Sequence, residues 1–197
     1  MCAHRTTKAR MSTHLSVCIA THGGTGSART SVVLRFDAPR DPRYWAFVEA
    51  RADAPLRLVD AFLRKLWLEC CGHLSAFRAA SRELAMGVSV ERAFASARTL
   101  RYEYDFGSTT ELTGTIVSTR HGPTGRAVVR LLARNEPIEW SCATCAAPAT
   151  VVCPFCMDTG DDHLFCDAHA GAHAHATEEV YLPVVNSPRM GVCGYAG

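Results

Sequence analysis

Cys142-x-x-Cys145, Cys153-x-x-Cys156 and Cys166-x-x-His169, followed closely by His173 and His175, concentrate eight sulfur and imidazole donors in one short stretch of the chain. Thiolate and imidazole pairs at this spacing are what zinc takes, usually four at a time in a tetrahedron. Eight donors fill two closed sites with none left over. A closed site is structural, because catalysis at zinc needs a position open to water or substrate. The expected ligands are therefore Cys142, Cys145, Cys153, Cys156, Cys166, His169, His173 and His175, with two zinc ions as the cofactor and His163 as a substitute for one of the last two histidines. A single ribbon built on the first four cysteines is the rival arrangement. Its two knuckles would be separated by seven residues, against roughly 15–20 in the common ribbon spacing.

Other chemical signals are weaker. Cys70, Cys71 and His73 could form an activated thiol and its base, but reading them as small buried residues and a capping histidine is simpler. Asp105-Phe106-Gly107 has the letters of a kinase metal-binding tripeptide without the glycine-rich loop, lysine strand or catalytic loop that go with it. His22-Gly-Gly-Thr-Gly26 lacks the Gly-Lys-Ser/Thr of a phosphate loop.

The elements that must carry these residues follow from hydrophobic period and turn residues. Residues 1–30 show little periodicity and read as a flexible arm, with Met11 an alternative start. Residues 31–36 and 44–50 read as a hairpin, the second strand placing Trp45, Phe47 and Glu49 on one face. From Pro55, apolar residues at 58, 59, 62, 63 and 66 predict the main helix, stopped by Gly72 and packed on a sheet. Strands are expected at 74–78, 100–106, 110–120 and 128–134, with a short helix at 90–95. Tyr102, Tyr104 and Phe106 should form an aromatic face opposite Glu103 and Asp105. Strands joined by turns, with few helices between, favour an α+β fold: an antiparallel sheet packed with one main helix, plus a small zinc-binding module. The expected divisions are an arm at 1–30, an α+β core at 31–137, the zinc module at 138–182, with 179–185 returning to a strand, and a C-terminal tail at 183–197.

A chain of 197 residues with 48% hydrophobic and 20% charged residues fits one ordinary core and a small appended module. No apolar run approaches the roughly 18 residues of a membrane span, so no membrane contact is expected. A secretory leader is not expected either, which places the protein in the cytoplasm, where cysteines are ligands or core residues before they are disulfides. The net charge of +2 conceals an asymmetry: residues 1–137 hold 20 basic and 12 acidic side chains, residues 138–197 hold 1 and 7. Five thiolates against two zinc ions leave the second part acidic, which disfavours DNA as its partner. The basic part, 18 of whose 20 cations are arginine, is the candidate for touching nucleic-acid phosphates.

Four stretches together resemble the Ri-plasmid open-reading-frame-three-like family, also described as insertion-element passenger TnpR proteins. They are Asp60-Ala-Phe-Leu63, Trp67-Leu-Glu-Cys-Cys-Gly-His-Leu-Ser-Ala-Phe77, Tyr102-Glu-Tyr-Asp-Phe-Gly-Ser-Thr-Thr-Glu-Leu112 and Leu182-Pro-Val-Val-Asn-Ser-Pro-Arg-Met-Gly-Val-Cys-Gly-Tyr195. The resemblance covers most of the chain from about Val32 onward. It implies an α+β domain carried on plasmids and mobile elements, with no established activity and no catalytic residues to transfer. The cysteine-rich stretch is similar to cross-brace zinc domains of the B-box and RING type. That resemblance implies one site from Cys142, Cys145, Cys166 and His169, and a second from Cys153, Cys156, His173 and His175. The nine residues between Cys156 and Cys166, and the single residue between the last two histidines, depart from the B-box pattern. An extended segment would put His173 and His175 on one side, whereas a helix would align His169 with His173.

The leading expectation is a non-enzymatic, zinc-stabilised protein of mobile-element type whose acidic module binds a protein partner. The alternatives are nucleic-acid binding through the basic α+β domain, and a hydrolase or nuclease assembled from Glu103, Asp105, Glu111 and His73.

Overall fold

Seven strands pair into one antiparallel sheet, the longest of them rich in β-branched and aromatic residues. The computed structural model describes residues 4–22, 26–95, 97–176 and 181–197. In chain order the elements are α1 (Lys8–His22), β1 (Ala28–Asp37), β2 (Trp45–Arg51), α2 (Leu56–Leu63) continued by a π-helical turn (Arg64–Leu68), β3 (Ser75–Ala79), β4 (Arg82–Leu84), α3 (Val90–Ala95), β5 (Thr99–Tyr104), β6 (Thr110–Pro123) and β7 (Val129–Arg134). The short elements β8 (Val151–Val152), α4 (Pro154–Thr159), β9 (Leu164–Phe165), α5 (Asp167–Ala170) and β10 (Leu182–Pro183) follow. The large sheet runs β4-β3-β5-β6-β1-β2-β7, and β10-β8-β9 form a second, small one. The class is α+β. The chain divides into two units: residues up to Lys65 together with Leu74–Asn135, and Leu66–His73 together with Glu136–Gly197.

In the first unit the β1–β2 hairpin, the helix from Pro55 and the 90–95 helix lie where the sequence puts them. The N-terminal stretch does not match its expectation, because a helix occupies Lys8–His22 where a flexible arm was predicted. Met11, Leu15 and Ile19 recur every fourth residue and bury against Val33, Trp45, Phe47 and Leu132. Each such side chain contributes about 1.5–3 kcal/mol when fully buried, enough to hold a helix whose remaining positions are mostly polar or small. Residues 1–3 and 23–25 of the expected arm lie outside the described residues, as do 179 and 180 at the start of the expected last strand.

The sheet is buried on both faces at β2. Trp45 and Phe47 meet α1, while Ala46, Val48 and Ala50, of opposite parity, are fully enclosed. Helix α2 packs against β7 and buries Leu56, Val59 and Leu63. Where β1 pairs with β6, Phe36 faces Gly114, and a Cβ there would stand 2.7 Å from the Phe36 ring. Gly114 is therefore needed for that ring's position.

Glu49 shares the α1 face and is 3% exposed. Its carboxylate accepts hydrogen bonds from Ser31 Oγ at 2.7 Å, Arg120 Nε at 2.8 Å and Arg130 Nε at 2.6 Å, so β1, β6 and β7 all contribute to one buried charge network. Asp60 on α2 accepts from Ser75 Oγ and Tyr102 OH, at 2.6 and 2.7 Å. Burial first, and then the Asp60 charge, raise the Tyr102 hydroxyl well above the ordinary tyrosine range.

The expected aromatic face is real for Tyr102 and Tyr104, both fully buried, but Phe106 is 51% exposed. The strand ends at Tyr104; Asp105 follows with a φ of 63° that turns the chain away, and its carboxylate accepts the Gly107 N–H. Glu103 is ion-paired with Arg78 and Arg101. Two carboxylates of the expected hydrolase set are thus committed to structural partners.

Candidate metal centre

The cysteine-rich stretch of the second unit gathers around its own sulfurs. Its apolar cluster consists of Cys142, Cys153, Cys156, Phe165 and Ala170, with Cys145, Val151, Cys166 and Tyr181 packed around it. More than half of those residues are cysteines, so this cluster is built largely on sulfur.

The backbone presents the sulfurs through short hydrogen-bonded turns. The Cys142 N–H donates to Ala147 O, closing a loop around Cys145, and the Cys153 N–H donates to His163 O across the β8–β9 pair. Cys153 and Cys166 sit immediately before α4 and α5, in extended conformation. Cys156 and His169 follow one turn later, which brings each pair onto the same side. Helix α4 begins with Pro154 and is ended by Gly160 at φ 81°, the usual proline start and left-handed glycine stop.

All eight residues expected as ligands fall into two groups of four. Cys142, Cys145, Cys166 and His169 form one, and Cys153, Cys156, His173 and His175 the other, with the ligand atoms of each group within 4.8 Å of one another. In the first, Cys145 and Cys166 sulfurs are 4.0 Å apart, and His169 Nδ1 lies 3.5 and 3.3 Å from Cys142 and Cys166 Sγ. In the second, Cys153 Sγ is 3.3 Å from His175 Nδ1, and Cys156 Sγ is 3.2 Å from His173 Nε2 and 3.6 Å from His175 Nδ1. Bond lengths of about 2.3 Å to sulfur and about 2.0 Å to nitrogen in a tetrahedron put ligand atoms about 3.3–3.8 Å apart. The separations just given, 3.2–4.0 Å, lie within a few tenths of an ångström of that size in both groups. The ligands interleave along the chain, first pair with third and second with fourth, as in a cross-brace.

The last two histidines converge by a route different from the extended segment considered above. Residues 171–176 form turns, and the two rings meet edge to face at 5.0 Å, His173 presenting Nε2 and His175 Nδ1. The use of opposite ring nitrogens lets neighbours in a tight turn reach one point. His163 belongs to neither group, and its Nδ1 is bonded to the Asp161 carbonyl at 2.9 Å. Aromatic rings screen the second group: Phe165 stacks at 4.4 Å on His173 and Phe155 stands 5.3 Å from His175. Tyr181 OH donates to Ala170 O, and Thr150 Oγ1 donates to Asp167 at the start of α5.

Burial works to raise the Cys142 thiol, but the backbone N–H groups of Cys166, Thr144 and Cys145 outweigh it and bring it down to about 6. Backbone donors so placed favour the thiolate, the form of cysteine that binds a metal ion. With four donors in each group and Cys142, Cys153 and Cys156 buried, the arrangement suits a closed site.

A third group was not anticipated. Cys70, Cys71, His73 and Cys193 also place their ligand atoms within 4.8 Å of one another. Cys71 and Cys193 are exposed and Cys70 half-buried, so the reading of Cys70 and Cys71 as small core residues does not hold. Hydrogen bonding to Cys193, then burial and the adjacent Cys70 thiol, push the Cys71 thiol up to about 11. The sequence signal was the close spacing of Cys70, Cys71 and His73, with nothing local to bring in Cys193.

Among the described residues, no helix is long and apolar enough to cross a membrane. Neither a protein-family profile nor a curated protein matches the chain. A crystal structure of a protein of unknown function from Methanosarcina mazei Go1 is similar with a TM-score of 0.46 and 11% identity, over 53% of this chain and 68% of that one.

Proposed function

We propose that this is a non-enzymatic, zinc-stabilised cytoplasmic protein of the mobile-element passenger type, in which a cross-brace module with two zinc ions serves as a docking platform for a protein partner. The observation that carries the reading is the closed donor count. Each group offers four sulfur and nitrogen atoms and leaves no position for substrate, and five thiolates blunt the Lewis acidity that hydrolysis needs. The zinc ions are structural, and what the module offers to others is its acidity, since residues 138–197 hold 7 acidic and 1 basic side chains. A surface of that sign repels nucleic acid and attracts basic protein faces.

Affinity capture from the native host, with the intact zinc-loaded chain and with its Cys153→Ser variant as baits, tests this. A protein retained by the first, lost with the second and released by salt is the expected result. Identical recovery on both baits contradicts docking through the metal module.

A second reading, nucleic-acid binding, is favoured by one feature of the sheet unit. A pocket of about 410 Å³ is lined by Arg29, Arg51 and Arg126 together with Ser27 and Gly125. Arg51 is paired with Asp53 at 2.7 Å and the Arg29 charge also bears on Asp53, so three arginines line the pocket against one nearby carboxylate. A mobility shift on short DNA or RNA at low salt, abolished in an Arg29→Glu/Arg126→Glu variant and weakening steeply with salt, is what this reading expects. No shift at low salt removes it.

A further inference from the structure

We propose that the second unit holds a third metal ion, a zinc-like divalent cation bound by Sγ of Cys70, Cys71 and Cys193 and by Nε2 of His73, which fastens the C-terminal segment to the turn after the π-helix. The site lies apart in sequence from the eight cross-brace ligands and does not depend on how those are occupied.

The geometry is that of a coordination sphere. Cys71 Sγ lies 3.8 Å from both Cys70 Sγ and Cys193 Sγ, the separation expected of two sulfurs on one tetrahedral zinc. His73 Nε2 stands 2.9 Å from Cys71 Sγ and 3.1 Å from Cys193 Sγ, about half an ångström inside the tetrahedral value. Rotation of these half-buried and exposed side chains opens that gap. Three sulfurs and an imidazole select a borderline-soft ion over magnesium or calcium, which take oxygen.

The backbone on both sides is already shaped to aim these atoms. Gly72 takes φ 80°, which folds the chain so that Cys71 and His73 flank it, and Glu69 Oε1 holds this turn by accepting the Gly72 N–H at 2.7 Å. On the other side Cys193 itself adopts φ 51° between two glycines of positive φ, Gly191 and Gly194. A non-glycine residue in the left-handed region is uncommon, and such conformations gather at functional sites. The two segments are also docked independently of any metal. Ser187 Oγ donates to the Trp67 carbonyl at 2.6 Å, and Arg189 and Tyr195, on either side of Cys193, are buried. Four ligand atoms thus converge from segments held by their own contacts, which is what a preorganised site requires.

Binding replaces three S–H protons by one dication, releasing three protons to solvent and leaving the four-ligand site with a net charge of −1; His73 stays neutral and donates its Nε2 lone pair. Exposure of Cys71 and Cys193 makes this ion the first to exchange with a chelator, while those held by the buried sulfurs of the cross-brace leave later.

Native mass spectrometry of the intact chain, reconstituted with zinc under reducing conditions, is expected to find three ions, and two in each of the Cys193→Ser and Cys71→Ser variants. Retention of the other two ions reports that each variant is folded. In the zinc-loaded protein Cys71 and Cys193 should resist N-ethylmaleimide despite their exposure, and should react once a chelator removes the first equivalent. A wild-type count of two, unchanged in Cys193→Ser, overturns the third site and leaves the cross-brace standing; a count of three in both proteins places the third ion elsewhere and also overturns it. A count of zero overturns both. Immediate alkylation of Cys193 in the three-zinc protein, or a Cys71–Cys193 disulfide under reducing conditions, contradicts it equally.

Discussion

Replacing Cys153 by serine is expected to remove one zinc ion and unfold residues 138–182 while the seven-stranded sheet stays intact. Cys153 is 1% exposed and shares its group with Cys156, His173 and His175. A hydroxyl is a poor substitute for a thiolate on zinc, and a structural zinc contributes on the order of 10 kcal/mol of apparent binding energy at neutral pH. That exceeds anything the rest of the module supplies, because its strands are two residues long and its cluster is mostly cysteine. Small units of this kind need staples. Limited proteolysis combined with a metal count checks the outcome: rapid cleavage between 138 and 182, with fragments of the first unit persisting, is expected. A Cys153→Ser protein as resistant as wild type removes the structural role of the second group.

Glu49→Gln is expected to lower the stability of the sheet unit by about 2–4 kcal/mol at neutral pH, because it leaves Arg120 and Arg130 facing a neutral amide in a mostly enclosed site. The charge network also sets an acid limit. Burial acts to raise the Glu49 carboxyl, but Arg120, Ser31 and Arg130 together outweigh it and hold it below the ordinary value of 4.5. A carboxyl depressed in the folded state contributes stability that is fully present above its unfolded pKa and is lost as pH falls through the folded one. The difference between wild type and Glu49→Gln should therefore be constant above about pH 5.5 and shrink below about pH 4.5. Urea unfolding of both proteins across that range measures it. A gap that widens on acidification would show that Glu49 does not carry the effect.

What could be read from the residues depended on how local the determinant was. The helix from Pro55 and the 90–95 helix were legible because caps and apolar steps lie within one turn of each other. The ligand pairs were legible for the same reason, since each is closed by a turn of three or four residues. α1 escaped because Met11, Leu15 and Ile19 are separated by polar residues, and only the partner surface of Val33, Trp45, Phe47 and Leu132 makes that stripe count. β8, β9 and β10 are two residues each and have no period to detect. The third cysteine group needed a pairing between Cys71 and Cys193 across the whole first unit, which no spacing rule reaches.

The claim on which the account turns is that metal, rather than burial, folds residues 138–182. Hydrogen exchange of the intact protein, followed peptide by peptide with zinc bound and after complete chelation, tests it most directly. Peptides from β1 to β7 should be protected in both states, and those from 138–182 should be protected with zinc, exchange at once without it, and recover when zinc is returned. Equal protection of 138–182 in both states would contradict the account.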